Sequence, residues 1–384
     1  MTGYLAPERT ARVRERLDRL VESRFVPGAV ALMAHRGQVH VEATGNLAFE
    51  GAGSATPMAG DTICRMASMT KPVVAAAVLA LVEDGVLRLD DPVDDLLPEL
   101  ADMRVLADPA GPLTDTVPAA RPITLRDLLD CTLGTGMVLD DSPIAQALDA
   151  VDEAEPDAWL ARLGALPLVR QPGENWLYDT GAQVTGVLVA RAAGKSFGEV
   201  LRERIFDPLG MKDSGFSVAG GDLDRFATAY AKDDAPDGSP VVEDAPDGRW
   251  SRPPAFESGG GGLVSTGNDF LTFGMELLSG ERVLSRASVE LLTSDHLTPG
   301  QKALSGFGPD YFDTMGWGFG VSVVTGPDPS GQAVGTYGWP GLWGTAWYND
   351  PVEQTATVVI MQRAHAGNQR LPMWEEFWRT VNGS

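Results

Sequence analysis

The order of elements predicts an α+β fold: an antiparallel β-sheet flanked by terminal helices, with a large, mostly helical insert between its early and late strands. Three observations lead there. Strand-like alternation occurs early, in "GAVALMAHRGQVHVEATG" from Gly28 to Gly45, and resumes only in the last third, in "GWGFGVSVVTG", "AVGTYGW", "GTAWYND" and "TATVVIMQRA". Helical periods fill most of the stretch between. No long crossover helix separates the late strands, so they are expected to pair antiparallel. At 384 residues the chain is long for one core, and two sub-structures sharing an interface are expected. Residues 1–75 and 255–384 are assigned to a discontinuous sheet domain and 76–254 to a helical one, with the functional site between them.

Taken in order, "PERTARVRERLDRLVESRF" predicts an amphipathic surface helix with Leu17, Leu20 and Val21 on one face. It lacks the apolar centre of a secretion signal. The first strands form a hairpin that turns at Arg36-Gly37. A helix follows from Ser68 to about Gly85; its apolar run, Val73 to Val82, is half of what a membrane span requires. "TLRDLLD", "DAWLARLGAL", "TGAQVTGVLVARAAG" and "FGEVLRERIFDPLG" continue in helical period, separated by proline-rich loops. From Lys232 to Pro254 the chain becomes loop-like and acidic, with "DAPDG" at Asp234 and again at Asp244, two turn signals expected on a surface excursion. "MWEEFWRTVN" closes the chain as a packed helix.

Composition narrows the function classes. With 30 basic and 53 acidic residues the formal net charge is −23, which repels phosphate backbones and anionic membranes and disfavours both as partners. The partner expected is a small molecule. Two cysteines, Cys64 and Cys131, make no disulfide framework, and a cytoplasmic location with both thiols reduced is expected. The four histidines are scattered, so no metal site and no cofactor is expected. The tetraglycine Gly259 to Gly262 lacks the lysine-serine or lysine-threonine of a phosphate loop, and no G-x-S-x-G elbow is present.

Chemistry is suggested where "SMTKPVVAAAVLALV" places Lys71, one of only five lysines, three residues after Ser68 at the mouth of an apolar helix. Residues three apart share a helix face, with Cβ atoms roughly 5–6 Å apart. A serine hydroxyl becomes a nucleophile when a base takes its proton, and an amine can be that base if apolar surroundings lower its pKa. The plain alternative is a helix cap beside a lysine that snorkels to water. Two further features favour chemistry: Tyr178 in "PGENWLYDTGAQVTG", just before a helix, and the glycine-containing turn Trp339-Pro340-Gly341 at the edge of a late strand.

Together with "GAVALMAHRG", "MASMTKP", "DPVDDLLPEL", "ITLRDLLDCTLGTG", "FDPLGMKDSGF", "SGGGGLVSTGNDFLTFG" and "GWGFGV", these stretches resemble the penicillin-recognising serine hydrolases, β-lactamase-like enzymes, in particular class C β-lactamases and family VIII carboxylesterases. The resemblance runs from about residue 25 to 365. It implies the β-lactamase/DD-peptidase fold, with Ser68 as the acylated nucleophile and Lys71 and Tyr178 as the pair that moves its proton. It further implies an oxyanion hole from the backbone N–H groups of Ser68 and Leu342, with substrate contacts from Trp339, Gly341, Thr180 and Trp343.

Two departures from the pattern bear on substrate. The tyrosine motif ends in Thr180 where β-lactamases have an asparagine that grips the substrate amide. The third motif begins with Trp339 where β-lactamases and peptidases have a lysine or histidine that helps hold a carboxylate. Losing a hydrogen bond to a charged group, about 1.5–3 kcal/mol, weakens a carboxylate-bearing lactam roughly ten- to hundredfold. An uncharged ester loses nothing. A third departure is Cys131, where relatives often have histidine; catalysis is not expected to depend on it. Trp176, Trp343 and Trp347 are candidates for an acyl or alcohol pocket, Trp176 being better assigned to the core. The expectation is a serine carboxylesterase for short-chain or modestly bulky acyl groups. Its alternatives are a β-lactamase, D-amino-acid peptidase or acyltransferase using the same acyl-enzyme, or a catalytically silent binding protein.

Overall fold

The computed structural model describes residues 3–151, 155–305, 307, 310–365 and 372–383. Its centre is a seven-stranded sheet. The strands are β1 (Gly28–His35), β2 (Gln38–Gly45), β3 (Met315–Trp317), β4 (Ser322–Val324), β5 (Tyr337–Gly341), β6 (Thr345–Asp350) and β7 (Thr355–Ile360), in the spatial order β2-β1-β7-β6-β5-β4-β3. Every neighbouring pair is antiparallel. The early hairpin thus joins the late strands through β1 and β7, with Val30 opposite Ile360. Arg36 and Gly37 turn it with positive φ, 48° and 81°, in the left-handed region that suits a tight hairpin.

Strand alternation decides what each face receives. Ala29, Ala31, Met33 and Val359 meet Val13 and Leu17 of α1 (Pro7–Glu22) and Phe377, Trp378 and Val381 of the C-terminal helix Pro372–Asn382. Val30, Leu32, Val358 and Ile360 face the opposite way into the main core. Strand β1 is therefore buried on both sides, which explains its nearly unbroken apolar run.

Helix α2 (Thr70–Glu83) is apolar all round and buried from Thr70 to Leu81, as expected of a helix enclosed on every side. Its core continues without a break from the sheet to Leu97, Leu128, Leu160 and Leu188 of the helical insert. The chain enters α2 through the short strand Ile63–Arg65, paired antiparallel with Val264–Thr266, which follows the tetraglycine. That pairing brings residues from both ends of the insert to one place.

Two tryptophans sort differently. Trp176 is fully buried in an aromatic cluster with Tyr178, Trp317 and Trp339, as expected. Trp347 is not a pocket residue. It points from β6 into the main core against Phe270 and Phe273 and donates its indole N–H to Asn349 Oδ1 at 2.8 Å. Alternation on β6 turns it toward the main core, away from the face on which Ala346 and Tyr348 meet the terminal helices.

The acidic excursion is tied down by two arginines. Arg65, fully buried, pairs with Asp244, donates to the Ala227 carbonyl at 2.6 Å and stacks over Phe226 at 4.0 Å. Arg363 donates to Asp234 Oδ1 at 2.7 Å. Each "DAPDG" copy supplies the counterion that a buried guanidinium needs.

Candidate active site

The nucleophile candidate sits at a forced bend. Ala67 takes φ +46°, and Ser68 lies in the single 3₁₀ turn Ala67–Met69 that leads into α2. One turn on, Lys71 is 2% exposed. Its Nζ donates to Asp179 Oδ1 at 2.5 Å, to the Gly260 carbonyl at 2.6 Å and to Ser68 Oγ at 3.1 Å. Three acceptors match the three hydrogens of an ammonium. The apolar helix was expected to lower the lysine pKa. Burial does press it downward, but the Asp179 carboxylate and Tyr178 outweigh burial and raise it above the ordinary lysine value. Three acceptors, one of them a carboxylate at 2.5 Å, favour the ammonium form of Lys71.

Tyr178 is placed by backbone bonds on both sides: Leu177 N–H donates to the Cys131 carbonyl and Met137 N–H to the Tyr178 carbonyl, both at 2.7 Å. Its ring lies among Trp176, Phe307, Trp317 and Trp339, and Lys71 Nζ is 4.4 Å from its centroid. The Trp339 indole N–H donates to the Tyr178 hydroxyl at 2.6 Å. Burial raises the phenol pKa and Asp179 adds to the rise; Lys71 and the hydrogen bonds to Ser68 and Lys71 oppose it, with a net upward shift.

Strand β5 closes the third side. A Cβ on Gly341 would collide with the Met66 carbonyl and Thr345 Oγ1, so glycine is required for the strand to lie against the nucleophile's own backbone. Trp339, Gly341, Leu342 and Trp343 all line the cleft that contains Ser68 and Tyr178. The Leu342 N–H donates to no acceptor among the described residues. Thr180 departs from expectation. It begins the helix Thr180–Ala193 and is not among the cleft-lining residues; the preceding residue, Asp179, takes φ +83° and turns toward the cleft in its place.

The cleft has a volume of about 850 Å³, at the roomy end for a small-molecule site. Its walls include Met137, Leu139, Phe256, Phe307 and Leu342, so the entrance is largely apolar. Among the described residues no cluster of three or more His, Cys, Asp or Glu could hold a metal ion, and no helix is long and apolar enough to cross a membrane.

Asp179 and the Gly260 carbonyl are the residues that sequence reasoning missed. The only signal for Asp179 was its place beside Tyr178. Cys131 packs in the same cluster as Tyr178, its thiol pushed up to about 12 by burial, which makes it unreactive. Its neighbour Asp130 is raised to about 7, first by burial and further by Asp127, against hydrogen bonds from Thr132. Between the ordinary carboxylate value, 3.8, and about 7 the folded protein keeps a proton there that the unfolded chain has released. Stability from this group therefore falls as the pH rises through that window. Asp130→Asn should remove most of the fall, raising stability at pH 8 relative to pH 5 by on the order of 2 kcal/mol against wild type, measured by urea midpoints at the two pH values.

A serine and a lysine one turn apart, a buried tyrosine and a glycine-bearing strand of an antiparallel sheet define a serine hydrolase of β-lactamase fold. Residues 13–376 match the family model described as Beta-lactamase, and the chain belongs to that family. It is 40% identical over 318 residues to Protein Rv1367c of Mycobacterium tuberculosis, covering 80% of this chain and 79% of that one. It is 31% identical over 387 residues to Esterase EstB of Burkholderia gladioli, covering 93% and 91%. Among solved structures, EstCE1, a hydrolase with promiscuous acyltransferase activity, superposes with a TM-score of 0.82 at 26% identity over 98% of each chain.

Proposed function

We propose that this protein is a serine carboxylesterase that cleaves esters of short-chain or modestly bulky acids through an acyl-enzyme on Ser68. The observation that carries the proposal is Lys71 Nζ 3.1 Å from Ser68 Oγ, both at the base of the cleft that Tyr178 lines. Tyr178 is the group that exchanges the proton. As phenolate it takes the Ser68 hydrogen while Oγ bonds to the ester carbonyl carbon, and the carbonyl oxygen becomes the oxyanion. The N–H groups of Ser68 and Leu342 receive that oxyanion; each such donor contributes roughly 3–4 kcal/mol to lowering the barrier. When the C–O bond breaks, the phenol returns its proton to the departing alkoxide. Water then repeats the cycle with roles reversed and frees the acid. Lys71 stays charged throughout and stabilises the phenolate and the developing negative charge.

The apolar cleft and the esterase relative support an ester substrate over a lactam. Trp339 spends its one N–H on Tyr178, and an indole offers no cation to a substrate carboxylate. The protein should therefore hydrolyse p-nitrophenyl acetate and butyrate, with kcat/KM for nitrocefin at least ten- to hundredfold lower. Efficient nitrocefin turnover with inert esters would reverse the assignment. The promiscuous acyltransferase activity named for EstCE1 supports a second use of the same acyl-enzyme, in which an alcohol replaces water. Transfer products in the presence of added alcohol would reveal it.

A further inference from the structure

Asp179 has no part in the proton transfers just described, yet it makes one of the shortest polar contacts in the site. It occupies φ +83°, ψ −63°, a sparsely populated γ-turn conformation that a non-glycine residue adopts only when its surroundings impose it. The imposing contacts are visible. The Thr180 N–H reaches back to the Tyr178 carbonyl at 3.3 Å and the Ala182 N–H to the Asp179 carbonyl at 3.0 Å, while the Asp179 N–H bonds the Cys131 thiol. The result of the bend is that Oδ1 meets Lys71 Nζ at 2.5 Å, although Asp179 keeps a side-chain exposure of 28% toward the cleft. Room for the carboxylate comes from the tetraglycine: a Cβ on Gly260 would stand 3.2 Å from Asp179 Oδ1 and 2.9 Å from Gln183 Cγ. Backbone strain, a missing side chain opposite and a direct ion pair all serve one contact.

We propose that Asp179 is the positioning residue that sets the charge of the Ser68–Lys71–Tyr178 group: its carboxylate holds Lys71 as an ammonium, cancels much of that charge at Tyr178, and so keeps the tyrosine a phenol until the medium turns alkaline. The proposal rests on the esterase reading above. Its logic needs no choice between lysine and tyrosine as the group that loses the first proton. The two titrate as a coupled pair, and a fixed negative charge beside the pair raises the pH at which that proton leaves, whichever one gives it up. The other titratable or charged groups nearby are Cys131 and Tyr311 in the cluster that holds Tyr178, and Arg249, His365 and Glu375 lining the cleft. All of these are the same in a variant at position 179, so a difference between variant and wild type reports Asp179.

The test is the pH profile of kcat/KM for p-nitrophenyl butyrate in wild type, Asp179→Asn and Asp179→Glu. Asparagine keeps an oxygen that can accept from Lys71 and removes only the charge. The rising limb should lie on the alkaline side of neutrality in wild type, move down by about one to three pH units in Asp179→Asn, and return toward wild type in Asp179→Glu. A role confined to holding the turn would lower kcat and leave the limb where it was, and that result overturns the proposal. So does a wild-type kcat/KM already on its plateau at pH 6, a measurement that needs no variant to fold. Stoichiometric labelling of Ser68 by a serine-reactive phosphonate is followed in parallel. If labelling proceeds and the limb does not move, only the role of Asp179 falls; if turnover occurs with no label on Ser68, the esterase reading falls and takes this proposal with it.

Discussion

Ser68→Ala is expected to lower kcat for p-nitrophenyl butyrate by on the order of 10⁵- to 10⁶-fold, the scale seen when a hydrolase loses its only nucleophile. The remainder of the site survives the change. Lys71 keeps Asp179 and the Gly260 carbonyl as acceptors, so the ammonium stays satisfied and the fold should hold. Stability should fall by no more than about 1–3 kcal/mol, because one of the three hydrogen bonds to the buried Lys71 is lost. Steady-state kinetics and a thermal melt, run together, separate the two effects. A large loss of activity with a cooperative melt and only a small drop in melting temperature is the expected pair of results. Activity within tenfold of wild type would remove Ser68 from the chemistry.

Tyr178→Phe should reduce kcat roughly 10²- to 10⁴-fold, the range for a positioned general acid–base group, with KM moving much less. The ring's packing against Trp176, Phe307, Trp317 and Trp339 is preserved, so apolar contacts do not explain the loss. What disappears is the oxygen that shuttles the proton and accepts the Trp339 indole N–H at 2.6 Å. The surviving N–H is left without that acceptor, at a cost of about 1–3 kcal/mol in stability. Single-turnover kinetics refine the prediction: acylation and deacylation should both slow, because the same phenol serves both steps. If only KM rises, Tyr178 binds substrate and the proton passes elsewhere.

Much of the architecture could be read from pattern. Strand alternation in "GAVALMAHRGQVHVEATG" and "TATVVIMQRA" identified β1, β2 and β7, and the absence of crossover helices gave antiparallel order. The apolar run behind Lys71 identified a helix buried on all sides. In the site, Ser68 and Lys71 were legible because three residues of helix bring them together locally, without tertiary information. Tyr178 and Trp339 were legible only through resemblance, since their meeting depends on how the insert folds back onto the sheet.

The failures have equally physical causes. Asp179 reaches Lys71 through a γ-turn bend at φ +83° that nothing in the neighbouring sequence announces. That same bend turned Asp179 toward the cleft in place of Thr180. The expectation of a lowered lysine pKa followed from the apolar helix alone; the counterion that reverses it lies 108 residues away in sequence. Trp347 lies close to Trp343 in sequence, but Trp343 sits in the turn between β5 and β6 while Trp347 is on β6, and the two pack into different cores. The "DAPDG" repeats do form surface turns, as expected. Nothing local announces that Asp234 and Asp244 each meet a buried arginine.

The most direct test of the central claim is peptide mapping after reaction with a fluorophosphonate. The account predicts one adduct per chain, located on Ser68, with esterase activity lost in proportion to labelling. Full activity in the labelled protein, or an adduct on another residue that tracks the loss while Ser68 stays unmodified, would contradict it.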